Sequence, residues 1–139
     1  MKMTKQMQED FKFLKDTQKM MVSYWGEKGL EIFSGIQQDI EAELEPLYEQ
    51  SLEQVTSYVL AYFRKHNWPE EKIARWLEGK SSPFRKGPRV KDDLLPKVLV
   101  AEFSLIRLGD VLLTLGLPLE AVNTLITARF IAWRNKDAI

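Results

Sequence analysis

LLPKVLVAEFSLIRLGDVLLTL, residues 94–115, is apolar on nearly every side of a helical wheel. Its Leu, Ile, Val and Phe residues follow no alternation of the strand kind, and its length suits a helix. Lys97, Glu102, Arg107 and Asp110 interrupt it. Four such charges speak against a membrane span, because a charge at the centre of a bilayer costs about 2.5–3.5 kcal/mol or more. A soluble helix that is apolar all round has to be covered by its neighbours. The stretch therefore predicts a core helix sheathed by others, with Asp92 or Asp93 as its cap and Pro96 in its first turn.

Working outward, the segment Gly116-Leu117-Pro118-Leu119-Glu120 reads as a helix stop followed by a start. A final helix follows, marked by Leu119, Val122, Ile126, Phe130 and Trp133, with Arg134 and Lys136 at its negative end. Two long helices joined by so short a turn are expected to pack antiparallel.

Toward the N-terminus, Met7, Phe11, Leu14, Met21, Val22 and Trp25 recur at helical spacing and predict a helix over 4–25. Leu30, Phe33, Ile36 or Ile40, and Leu44 mark a second. Pro46 breaks it at Glu45, because the residue before proline is steered away from helical geometry. Leu47, Val55, Val59, Tyr62 and Phe63 predict a third helix over 47–66. Pro69-Glu70-Glu71 opens a short fourth helix carrying Ile73, Trp76 and Leu77, and Gly79 closes it.

Residues 79–93 hold two prolines, two glycines and two serines and read as a basic loop. No strand alternation and no repeat stands out. The expectation is an all-α, single-domain bundle of about six helices over residues 1–139, with a long C-terminal helix pair.

The chain has 139 residues and no cysteine, which excludes disulfides and thiolate chemistry and suits a reducing cytoplasm. Net charge is zero but unevenly spread. Residues 27–53 carry eight acids against Lys28, while residues 64–91 carry nine basic residues against Glu70, Glu71 and Glu78. Two faces of opposite potential follow, and pairing of the basic loop with the acidic block is the simplest use of them.

Catalytic signatures are missing. His66 is the only histidine, and no phosphate-binding loop, nucleophile elbow or His-Glu-x-x-His motif is present. Glu41, Glu45, Glu49 and Glu53 step by four, but the Glu-x-x-His element of a di-metal site is lacking and Pro46 interrupts the run. The expectation is no catalysis, no metal and no cofactor.

Two candidate binding sets remain. Arg107 on the apolar helix is placed to meet the acidic head of an apolar ligand, with Phe103 and Trp25 as aromatic anchors. Lys80, Arg85, Lys86, Arg89 and Lys91, with Phe84 among them, form the alternative: a phosphate or nucleic-acid site, joined by Arg64, Lys65 and Arg75. A third reading is a structural subunit that buries its aromatics against copies of itself.

The stretch EFSLIRLGDVLLTLGLPLEAVNTLITARFIAWR (102–134) resembles the last two helices of haem-free sensor-globin domains, the sensors of bacterial stressosomes and sporulation kinases. Arg107 and Gly109, the turn at 116–120 and the closing Arg129-Phe130-x-x-Trp133 carry the likeness. An early helix with Trp25 and an apolar helix ending at Phe63 are compatible. The resemblance implies a globin-like, haem-free bundle that regulates a protein partner, with a fatty acid or small anion as its ligand. The expected function is thus a regulatory or sensor domain acting through an apolar pocket or a protein interface.

Overall fold

A computed structural model describes residues 3–79, 82, 85 and 93–135, with only the backbone at Leu30 and Arg134. Lys80, Phe84, Lys86, Arg89, Lys91, Asp92 and Lys136, named above, lie outside the described residues.

Among the described residues the regular structure is entirely helical. The helices are α1 (Lys5–Trp25), α2 (Glu27–Leu44), α3 (Leu52–Lys65), α4 (Glu70–Glu78), α5 (Leu95–Thr114) and α6 (Leu119–Arg134). A 3-10 turn, Glu45–Glu49, follows α2. The all-α expectation holds, and none of these helices is long and apolar enough to cross a membrane.

The third helix begins later than the periodicity predicts. Pro46 turns Glu45–Glu49 into the 3-10 piece, which buries Leu47. Ser51 then starts α3 through a capping box, accepting from the Gln54 N–H while the Gln54 side chain accepts from the Ser51 N–H. At its far end Asn67 takes a left-handed conformation (φ 58°), and its N–H and that of Trp68 donate to the Arg64 and Phe63 carbonyls. Gly116 closes α5 in the same manner at φ 89°, with Leu117 N–H reaching the Leu112 carbonyl.

The chain divides into two compact units. The first comprises residues 1–40 and 105–139, and the second residues 41–104. In the first, α1 packs on α6. Its seam is Met7, Asp10, Leu14, Thr17 and Met21, alternating steps of three and four. Two of these are polar. Thr17 donates to its own helix at the Phe13 carbonyl (2.8 Å). Asp10 accepts from Gln6 and from Asn135, both at 2.9 Å, and Asn135 also donates to the Ile131 carbonyl at 2.8 Å. Both polar residues of the Asp10–Asn135 tie are buried. Gly29 admits α2 against Trp25, since a side chain there would overlap the Trp25 Cβ at 2.1 Å. Gly109 of α5 likewise lets Ile126 of α6 approach.

The second unit is built on aromatic rings. Phe63 stacks on Trp68 at 3.9 Å between centroids and meets Trp76 edge-on at 5.2 Å. Tyr62 and Tyr58 edge onto Phe103 at 5.0 and 6.0 Å. Val55, Val59, Phe63 and Phe103 are wholly buried.

The burial of α5 changes along its length. Residues Val98 to Phe103 are buried without interruption, as a helix covered on all sides must be. Beyond Ser104 the helix keeps one buried face, Leu105, Leu108 and Leu112, and exposes Leu113. The all-round apolar pattern therefore holds for the first half only.

Candidate functional site

The first unit contains a partly open cleft of about 220 Å³. Leu14, Thr17, Gln18 and Met21 of α1, Phe33 and Gln37 of α2, and Leu125, Ala128, Arg129 and Ala132 of α6 line it. The spacing explains the lining. Leu14, Thr17, Gln18 and Met21 share one face of α1, and Leu125, Ala128, Arg129 and Ala132 share one face of α6. Ala128 and Ala132, one turn apart, leave the space that larger side chains would fill.

The cleft wall is apolar apart from Thr17, Gln18, Gln37 and Arg129. Arg129 is half-buried, and loss of solvent pulls its guanidinium below its ordinary pKa. It remains a cation at neutral pH. With the Gln37 carboxamide turned oxygen-first, its Oε1 accepts from Arg129 Nε at 2.8 Å. The same oxygen lies 2.8 Å from Nη1 and 3.0 Å from Nη2, so it sits over the guanidinium face. An apolar wall with a few placed polar groups is the composition of small-ligand sites, though this cleft is below their usual ~300–1,000 Å³.

The expected ligand residues are placed elsewhere. Phe103 sits inside the aromatic cluster of the second unit. Arg107 and Trp25 belong to the first unit, both half-buried, and neither lines the cleft. The cleft takes its lining from α1, α2 and α6 and none from α5. Arg129 stood in the sequence as part of the closing Arg-aromatic-x-x-Trp. Nothing local marked it as the charge in the cleft, because its position depends on where α1 and α2 lie.

Of the basic loop set, Arg85 is the described member, and its guanidinium is engaged within the fold. Nε lies 2.6 Å from Glu102 Oε1 and Nη2 lies 2.8 Å from Oε2. Nη2 and Nη1 also donate to the Trp76 and Leu77 carbonyls at 2.5 and 3.2 Å, at the C-terminal end of α4. The guanidinium lies so near Gly79 that a Cβ there would come within 2.7 Å of it. Gly79 is also left-handed, at φ 70°.

Side-chain exposure is 13% for Arg85 and 5% for Glu102, so this is a buried bidentate pair. The partner of Arg85 is thus Glu102 of the apolar helix, where the acidic block 27–53 had been expected. Burial raises the Glu102 pKa, and Arg85, then Ser82 and Trp76, lower it in part. The Trp76 indole Nε1 is buried with no hydrogen-bond partner among the described residues.

The remaining candidates lie on the surface. His66 caps the end of α3, exposed, its ring 4.1 Å from that of Tyr62. Arg64, Lys65 and Arg75 are exposed, with Arg64 3.9 Å from Glu70. Glu41 belongs to α2, Glu45 and Glu49 to the 3-10 turn and Glu53 to α3, so the step of four does not survive as a single stripe. Among the described residues no cluster of three His, Cys, Asp or Glu side chains is placed to hold a metal ion.

Comparison with protein-family models finds no match. Searches against curated proteins and against solved structures likewise return no significant match.

Proposed function

We propose that this chain is a non-enzymatic regulatory or sensor domain that takes a small ligand in the cleft between α1, α2 and α6. The observation that carries this reading is the cleft itself, a largely apolar space of about 220 Å³ with one half-buried arginine in its wall. The resemblance of 102–134 to haem-free sensor globins points the same way.

Occupancy is read out through α1. This helix supplies Leu14, Thr17, Gln18 and Met21 to the cleft, and it is tied to the end of α6 by Asp10 and Asn135. A ligand wedged against α1 changes how firmly that helix is held, and a protein partner reads the difference. A ligand shifts such an equilibrium only by its differential affinity for the two states.

The test is a fragment screen by amide chemical-shift mapping. Saturable shifts are expected at Thr17, Gln18, Gln37 and Ala128, together with altered hydrogen exchange in α1. Ala132→Leu, which fills the cleft, is expected to abolish them. Binders whose shifts scatter away from the cleft, or survive Ala132→Leu unchanged, overturn the reading.

A further inference from the structure

The chemistry of the cleft narrows its ligand class. We infer that it selects an uncharged molecule of one ring, held against Leu14, Met21, Phe33 and Leu125, in preference to a carboxylate of the same shape. This rests on the cleft being the ligand site. The class differs from the fatty acid or small anion that the sensor-globin resemblance implies.

Three observations carry the inference. The first is that polar groups of the wall are already engaged. The Gln37 oxygen lies within 3.0 Å of all three guanidinium nitrogens of Arg129. The Thr17 hydroxyl donates to the Phe13 carbonyl at 2.8 Å. Gln18 is exposed to solvent. The second is what a charge meets on entry. A carboxylate gives up its water and has to compete with the Gln37 oxygen for Arg129, and a charge buried without full compensation is costly. An ammonium meets Arg129 as a like charge. An uncharged body escapes both penalties and leaves the contact between Gln37 and Arg129 in place. The third is volume. About 220 Å³ exceeds the roughly 150 Å³ of an engineered apolar cavity that takes up benzene, and falls short of the ~300–1,000 Å³ of larger ligand sites. One ring with a short substituent suits that space.

The apolar lining fits the same ligand. Met21 of α1 and Leu125 of α6 are buried, so the packing of their helices holds them in place before a ligand arrives. Met21 brings a polarisable thioether and Phe33 an aromatic ring, and both gain from a second ring beyond the area they bury. The short side chains of Ala128 and Ala132 leave the width that a planar ring needs. The expected discrimination is therefore by charge at constant shape.

The experiment titrates the chain, ¹⁵N-labelled and with ¹³C in its methionine methyls, with nitrobenzene and, separately, with benzoate. These are planar molecules of one shape that differ by one charge. Nitrobenzene is expected to give saturable shifts at Thr17, Gln37 and Ala128, a ring-current shift at the Met21 methyl, and a Kd at least about 10-fold below that of benzoate. Arg129→Met is expected to leave nitrobenzene binding in place, since the ligand takes no hydrogen bond from that residue. The comparison of the two ligands on the unaltered chain stands even where the variant fails to fold. Benzoate binding in the cleft as tightly as nitrobenzene overturns the inference and leaves the ligand-site reading intact. Cleft binding by other fragments with none by nitrobenzene does the same. No fragment binding in the cleft at all overturns both.

Discussion

Arg85 and Glu102 form a buried pair whose energetics can be tested directly. Removing one partner of such a pair strands the other charge, which costs about 3–5 kcal/mol, whereas replacing both by apolar groups is often neutral. Arg85→Met is therefore expected to lower unfolding stability by about that amount at pH 7, and Arg85→Met with Glu102→Met to recover most of it. Urea denaturation of the single and double variants checks both. The pH dependence has a fixed sign. Burial raises the Glu102 pKa, so the folded chain holds that proton more tightly than the unfolded chain. Stability contributed by this group falls as pH rises from the ordinary carboxylate range through the raised value, and levels off above it. In Arg85→Met the fall is larger, because the cation that lowered the pKa is gone, so the variant's deficit shrinks toward acid pH. The sequence showed that Glu102 needed a partner. It did not show which, since Arg85 is 17 residues away and no helical spacing links them.

Helix ends and seams divide into those with local causes and those without. The capping box of α3 is local, and Ser51→Ala is expected to cost about 1 kcal/mol and to lower Tm by about 2–5 °C in a thermal melt. Its signal, Ser51 with Gln54 three residues on, was present in the sequence; the hydrophobic pattern beginning at Leu47 masked it. The end of α4 at Gly79 and the start near Pro69 were legible for the same reason, a cap or stop residue at the right place. The α1 seam was only half legible. Periodicity of apolar residues finds Met7, Leu14 and Met21 but passes over Asp10 and Thr17, and it includes Val22, which is exposed. Those polar positions are buried because each has a hydrogen-bond partner. Asn135→Ala removes one from Asp10 and is expected to cost about 1–3 kcal/mol, with faster amide exchange at the N-terminal turns of α1 as its signature.

At the scale of the whole molecule, ligand and stability are linked. A ligand that binds only the folded chain adds about 2.7 kcal/mol of stability at a hundred times its Kd. A cleft ligand is thus expected to raise Tm in a concentration-dependent way, and Ala132→Leu to remove that rise without lowering the basal Tm comparably; differential scanning calorimetry measures both. The apolar stretch 94–115 pointed by itself to a helix with part of its length enclosed, because an all-round apolar surface in water calls for cover by neighbours. Its uninterrupted burial covers Val98 to Phe103, and past Ser104 the helix is one-faced. Composition and caps likewise determined where most helices begin and end, since those signals act within a turn or two of chain. Tertiary structure alone decided the pairings. It placed Arg85 on Glu102, Asp10 on Asn135 across 125 residues, and Arg129 in the wall of a cleft. A long-range contact depends on which helix faces meet, and single-helix periodicity carries no information about that.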